Sequence, residues 1–220
     1  MFSAFMKGIS QLSDPKTRRV VWIGMGLALT AFIGLWFMVA FALTHTVLFS
    51  ILWLDTAADI LGGLATLVLT WLLFPAVVSA VIGFFLEDIA GAVEARHFPN
   101  LPEPRAVPIL EILATTAKFL GVMVLVNFML LFFLVIPPIF PFVFYSANGY
   151  LLSREYFELV ALRRIGPEEA RVLRKANSGR LFITGVIVAF LLTVPVVNLL
   201  APIVATAVMV HLFEGWRRGE

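Results

Sequence analysis

Three cationic side chains occur within four positions near the beginning of the chain, at Lys16, Arg18 and Arg19. Such groups can bind the oxygens of a tetrahedral anion, because arginine donates two parallel hydrogen bonds and lysine supplies a point charge. The alternative is that Arg18 and Arg19 only fix the orientation of the chain in a membrane and contact lipid phosphates. The residues alone leave both interpretations open.

The cationic group lies at a predicted helix start. Ser13 or Asp14 can cap the first turn, and Pro15 suits the first helical position, where no backbone donor is needed. Free N–H groups of that turn and the positive end of the helix dipole would then add to the attraction for an anion. The pattern predicts an oxyanion site at the head of the first long helix.

Prolines interrupt two of the most apolar stretches, FLVIPPIFPFVF (residues 133–144) and TVPVVNLLAP (residues 193–202). A proline inside a helix removes a backbone donor, so each stretch is predicted to be the apex where two shorter helices meet. Between its prolines the second apex holds an asparagine, which can donate to a passing anion or bond a neighbouring helix. The residues predicted at the apices are Pro137, Pro138, Pro195, Asn198 and Pro202.

The elements that position these residues belong to an integral membrane protein. Of the 220 residues, 61% are hydrophobic and 14% are charged, which is far from the composition of soluble domains. The net charge of +2 does not favour a nucleic-acid partner. We therefore expect an all-α fold in the lipid bilayer.

Segment lengths predict how the chain crosses the bilayer. The 12 residues from Pro141 to Leu152 make roughly 18 Å of helix, too short for a hydrocarbon core of about 30 Å. Residues 153–180 hold seven basic groups and should stay on the cytoplasmic side, so the segments on either side of them should return to that side. A pair of ordinary spans kinked by proline is the alternative.

These considerations give one membrane domain over residues 1–220. Phe2, Phe5, Met6 and Ile9 recur at helical spacing, which indicates an amphipathic helix at the membrane interface. The predicted parts are an interfacial helix (1–13), two long transmembrane helices (15–43 and 57–97), two re-entrant hairpins (106–152 and 181–213) and a basic helical segment at the cytoplasmic surface (153–180). Half-penetrating hairpins need protein neighbours, so we also expect a homo-oligomer.

Four stretches resemble the CysZ family of bacterial sulfate permeases, which is related to the etoposide-induced membrane proteins. They are FMKGISQLSDPKTRRVVWIG, LEDIAGAVEARH, IPPIFPFVFYSANGYLLSREYFELVALRR and TVPVVNLLAPIVATAVMVHLFE. The resemblance implies two long spans, two half-penetrating hairpins and an oligomer in the bacterial inner membrane. It also implies ATP-independent, channel-like uptake of sulfate for cysteine synthesis.

The resemblance places the anion site around Arg18 and Arg19, with the preceding backbone contributing. This chain has Lys16 and Thr17 where the family commonly has Gly-Leu, so these two residues join the predicted site. Acidic residues near an anion path would repel the anion, and we expect them to have a structural or gating role. They are Glu87, Glu155 and Glu158.

An enzyme is the competing class. The three histidines lie far apart in the sequence, and the motifs of zinc proteases, serine hydrolases and nucleotide-binding loops are absent. We expect no catalytic residue, metal or cofactor. Two further alternatives stay open: a non-transporting membrane scaffold or regulator, and a permease for another oxyanion such as thiosulfate, selenate or molybdate.

Overall fold

A computed structural model describes residues 2–45, 52–194 and 197–219, and all the regular elements in these ranges are helices. The prediction of an all-α fold is confirmed for this part of the chain. The helices are α1 (Phe2–Ser10), followed by a 3-10 turn (Gln11–Ser13), α2 (Pro15–His45), α3 (Leu52–Gly83), α4 (Leu86–His97), α5 (Ile109–Phe133), α6 (Phe140–Ala161), α7 (Pro167–Ala176), α8 (Ser178–Thr193) and α9 (Val197–Arg217).

Helices α2 and α3 pack side by side along their length. Ala28 of α2 and Val78 and Ile82 of α3 are fully buried, and the rings of Phe32 and Phe74 lie 5.9 Å apart. Most of the other apolar side chains of α2 face outward, as expected of a helix surrounded by lipid. At 31 residues, α2 is about 46 Å long, so it exceeds the thickness of the hydrocarbon core.

The predicted long helix over residues 57–97 is divided in the structure. Helix α3 ends at Gly83, and a tight turn at Phe84 and Phe85 leads into α4. Glu87 and Asp88 then stand in the first turn of α4, where acidic side chains favour a new helix start. Residues 86–97 are therefore a separate short helix, and α3 extends back to Leu52.

The first proline-rich stretch is a turn. Residues 134–139 connect α5 to α6 and include Pro137 and Pro138, while Pro141 stands in the first turn of α6. Helix α5 has 25 residues, about 37 Å, so it is long enough to cross a bilayer by itself. The prolines therefore lie in a break between two helices.

The second proline-rich stretch differs from its prediction. Pro195 lies outside the described residues, and Asn198 is in the first turn of α9. Pro202 is inside α9 and buried, which corrects its assignment to the apex. The helix continues through it because close packing around α9 compensates for the backbone bond that proline cannot make. At 21 residues α9 is a single helix about 31 Å long.

Three described helices are long and apolar enough to span a membrane: Pro15–Ala42, Ile109–Phe133 and Val197–Arg217. They differ in environment. In the apolar stretch of α9, 72% of the residues are buried inside the protein, compared with 11% for Pro15–Ala42 and 6% for Ile109–Phe133. Helix α9 is therefore at the centre of the fold, whereas most of the apolar surface of α2 and α5 is not covered by the described protein.

Helix α1 packs against this central helix through its small residues. Ala4 and Gly8 are buried against α9, and a Cβ on Gly8 would lie 2.7 Å from Cγ2 of Val208. Phe2 and Met6 are exposed on α1, with 80% and 55% of their surface accessible. One side of α1 thus contacts the protein, and the apolar side chains remain free to enter the membrane interface.

Two further contacts define the region around α6, α7 and α8. Helices α6 and α8 cross so closely at Gly149 and Gly185 that neither position has room for a Cβ. Helix α7 starts at Pro167 and meets α8 at an angle of 87°. The basic segment over residues 153–180 comprises the end of α6, α7 and the beginning of α8.

Candidate functional site

The head of α2 is capped by Asp14. Its Oδ1 accepts hydrogen bonds from the backbone N–H groups of Lys16 at 2.9 Å and Thr17 at 3.4 Å, and its other oxygen lies 3.8 Å from Arg96. Capping by Asp14 was one of the two predicted possibilities. It also corrects the expectation of free first-turn amides, because two of them already have a carboxylate partner.

The cations beside this cap face outward. Lys16, Arg18 and Arg19 are exposed, and within the described residues their side chains make no ion pair. Thr17 is buried, and its hydroxyl lacks a hydrogen-bond partner in the described part of the chain. Three available cations and one unpaired hydroxyl therefore lie within one helical turn.

A groove of about 570 Å³ runs between the head of α2 and helix α4. Lys16, Thr17 and Arg19 line one side, while Arg18 is not part of its lining. The other side includes acidic and basic groups from α4 and from the segment after α6, namely Glu87, Asp88 and Arg163. The groove can hold an anion against its cationic side, with carboxylates opposite.

The three acidic residues predicted to have a structural or gating role come together at a second cavity. Glu87, Glu155 and Glu158 all line this cavity of about 580 Å³. Glu87 and Arg163 line both the second cavity and the groove at the head of α2. These two side chains therefore form part of the wall of both the groove at the head of α2 and the second cavity.

A third cavity, also of about 580 Å³, adjoins the second and shares Thr115, Glu158 and Leu162 with it. In this cavity Glu158 is paired with Arg154, whose Nε lies 2.8 Å from Oε1 of the carboxylate. The two residues stand at i and i+4 on α6, the spacing at which opposite charges meet on one face of a helix. The remaining cations of its lining are Lys118, Arg171 and Arg174.

A buried ion-pair cluster that the sequence did not reveal holds this region together. Both oxygens of Glu94 accept from Arg164, at 3.1 Å from Nε and 2.5 Å from Nη2, and Arg163 approaches at 3.3 Å. Arg164 also donates to the carbonyl of Pro102, and Arg163 donates to the carbonyl of Glu87. The cluster fixes Arg163, which lines two of the cavities, against α4.

The predicted apex residues lie elsewhere. In the described part of the chain, neither Pro137, Pro138, Asn198 nor Pro202 lines the three connected cavities. Of the predicted acidic residues only Glu87 shares the groove with Lys16, Thr17 and Arg19, and the described apex residues lie apart from it.

The described residues contain no group of three or more acidic, histidine or cysteine side chains suited to a metal ion. His97, at the end of α4, lies with its ring 4.7 Å from that of His211 on α9. Burial lowers the pKa of His97 from its ordinary value of 6.5, and the charges of Arg96 and Lys7 lower it further. His97 is thus held in its neutral form.

Comparison with protein families provides the decisive observation. A family model described as "Sulfate transporter CysZ/Etoposide-induced protein 2.4" matches residues 4–202, which is most of the chain. The protein belongs to this family. The match covers the head of α2, the acidic residues of the second cavity and the Glu94 cluster. A search of curated proteins found no match.

Membership of the CysZ and etoposide-induced protein family agrees with the resemblance found in the sequence. Together with the three apolar helices, it indicates a multi-pass membrane protein of a transporter-type family. In the groove at the head of α2, Lys16 and Arg19 are exposed and make no ion pair with another described residue, whereas Arg163 is paired with Glu94.

Proposed function

We propose that this protein is a sulfate permease of the bacterial inner membrane, which takes up sulfate for cysteine synthesis by a passive, channel-like route. The observation that carries the proposal is the groove at the head of α2, where the unpaired cations Lys16 and Arg19 meet in a chain of the sulfate transporter family. Sulfate carries two negative charges, so exposed cations at a wide opening would raise its local concentration.

The anion site consists of Lys16, Thr17, Arg18 and Arg19. Because Asp14 already accepts from the amides of Lys16 and Thr17, the anion is held mainly by side chains. Thr17 also lines the groove, with its hydroxyl buried and without a partner in the described residues. Arg18, outside the groove lining, supplies charge at its rim.

Beyond the groove, the acidic residues of the second cavity control passage. An anion moving from the groove toward the second cavity must pass Glu87 and Arg163, which line both. Glu155 and Glu158 would repel a dianion that stayed there, so the second cavity is a barrier rather than a resting site. We assign Glu87, Glu155 and Glu158 a gating role.

For the membrane arrangement we propose that α2 and α3 cross the bilayer and that α5–α6 and α8–α9 are re-entrant hairpins within one domain. The turn at residues 134–139 and the 16 residues of α8, about 24 Å of helix, support this arrangement. The exposed apolar surface of α5 would then contact other copies in a homo-oligomer.

The transport proposal is tested by uptake of radiolabelled sulfate into liposomes that contain the purified protein. The double variant Arg18→Ala and Arg19→Ala should lose uptake, while Lys175→Ala with Arg218→Ala, which removes the same charge elsewhere, should keep it. Equal uptake by both variants would refute the assignment of the site.

The same liposomes identify the anion. Unlabelled thiosulfate, selenate and molybdate are added as competitors, and the most effective competitor defines the preferred oxyanion. If the intact protein supports no uptake of sulfate or of any competitor, the transport proposal is wrong and the scaffold alternative takes its place.

The membrane arrangement is tested by single-cysteine labelling, which the absence of native cysteines makes simple. Cysteines at Ser178 and Arg218 should react from the same side if α8 and α9 form a hairpin. A cysteine at Val135, within the turn after α5, should be protected from both sides if the hairpin stops within the bilayer. Labelling of Val135 from the opposite side would show that α5 crosses completely.

A further inference from the structure

A fourth cavity, of about 250 Å³, lies where α1, α9 and the first turn of α8 meet. Its ionisable lining residues are Lys7, Arg180 and His211, and no carboxylate belongs to its described lining. The three cavities discussed above each include at least one aspartate or glutamate. The fourth cavity therefore has the most uniformly basic lining of the four.

The charges of this cavity are not neutralised from within the described protein. The side chains of Lys7 and Arg180 make no ion pair with any described residue. Glu214 is on the same helix as His211, but it is paired with Arg217 at 2.8 Å and does not line the cavity. A negatively charged ligand in the cavity would balance the charges of Lys7 and Arg180.

A third observation comes from His211 itself. The residue is 91% buried, with 9% of its surface exposed, and its Nε2 has no hydrogen-bond partner in the described part of the chain. Buried ring nitrogens of histidine normally have a partner, since an unpaired one costs free energy. The ring of His211 lines the cavity together with Lys7 and Arg180, so a buried imidazole stands beside the two cations.

The position of the cavity narrows the ligand class. Ser3, Ala4 and Lys7 of α1 line it, while Phe2 and Met6 of the same helix are largely exposed. An anionic group in the cavity would thus lie beside apolar side chains suited to acyl chains at the membrane interface. Two cations and a ring nitrogen around a small space fit the oxygens of a phosphate group.

We propose that Lys7, Arg180 and His211 bind a phosphate group at the membrane surface, either that of an anionic phospholipid headgroup or free phosphate. Bound there, the phosphate joins α1 to α8 and α9 and fixes the interfacial helix. This site is separate from the sulfate groove at the head of α2, and its residues are not those proposed for transport.

The proposal is tested by native mass spectrometry of the purified full chain titrated with phosphatidylglycerol. The double variant Lys7→Gln and Arg180→Gln should bind the lipid about tenfold more weakly, since each lost charge-assisted contact lowers affinity. Lys175→Gln is the control, because Lys175 is an exposed lysine that makes no ion pair with a described residue and lines none of the four cavities. Both changed positions in the double variant are also exposed, so the fold should be retained.

A second arm distinguishes the sources of the phosphate. Millimolar inorganic phosphate is added to the lipid complex, and displacement of phosphatidylglycerol identifies free phosphate as a ligand, whereas retention identifies the headgroup. Unchanged lipid binding and unchanged phosphate binding in the double variant would overturn the proposal. An equal loss in Lys175→Gln would also overturn it, because it would show only general attraction to a basic surface.

Discussion

Replacing Glu94 by alanine should strongly destabilise the protein, because this carboxylate is the shared partner of two arginines. Its side chain is only 5% exposed, and so is that of Arg164, which approaches it with two nitrogens. Arg163 is 16% exposed and contributes a third contact at 3.3 Å. Solvent therefore screens the central pair very little.

The magnitude follows from what the substitution leaves behind. In Glu94→Ala both guanidinium groups stay where they are, and the buried one loses its countercharge. Removing one partner of a buried pair costs about 3–5 kcal/mol. For a chain of this size, that loss corresponds to a fall of roughly 6–20 °C in the unfolding midpoint.

The assay is thermal unfolding of the detergent-purified variants, followed by tryptophan fluorescence. Glu168→Ala is the control, since Glu168 is 89% exposed and only 4.0 Å from an exposed Arg171. The midpoint of this control should change little. If Glu94→Ala unfolded at the same temperature as Glu168→Ala, the buried cluster would not stabilise the fold and the reasoning would be wrong.

Three further substitutions test other contacts. Gly185→Ala should prevent normal packing of α6 on α8, because a Cβ at this position meets the backbone of Gly149, and the yield of folded protein on size-exclusion chromatography should collapse. Gly8→Ala should loosen α1 from α9, because the new methyl group would lie 2.7 Å from Val208, and proteolysis within α1 should become faster. His97→Gln should flatten the pH dependence of stability: the lowered pKa means that the unfolded chain binds the proton more readily, so the parent loses stability as pH falls below 6.5.

The two glycine substitutions have matched comparisons, and His97→Gln is compared with the parent. Gly121→Ala and Gly26→Ala introduce the same methyl group where no atom lies within 4 Å, so they should fold normally. If Gly185→Ala or Gly8→Ala behaved like its comparison, the close helix contact would be wrong. A pH profile of the unfolding midpoint that is the same in the parent and His97→Gln would show that His97 does not titrate differently on folding.

Local signals in the sequence predicted local structure well. Two such features are the cap by Asp14 and the turn at Pro137 and Pro138, which each depend on residues within a few positions of one another. Periodicity and capping rules describe such features because the interacting groups share one turn of the chain. The helical class followed from composition instead, because an apolar chain in a bilayer must pair its backbone groups within helices.

The failures concern contacts between distant segments. Nothing near Glu94 in the sequence indicates that its partners are Arg163 and Arg164, about 70 positions later. Pro202 was predicted to end a helix, yet burial in the centre of the fold keeps the helix intact around it. Tertiary packing decides such cases, and a single sequence shows no signal for it.

The contact between α1 and α9 joins the first and last of the described helices, and this has a consequence for biosynthesis. As the ribosome makes the chain from its N-terminus, α1 emerges long before its partner exists, so it cannot dock until synthesis reaches α9. In the interval the exposed Phe2 and Met6 give α1 affinity for the membrane surface. Helix α1 therefore stays bound to the membrane surface until α9 has been made, and the docking of α1 on α9 is the last step of folding.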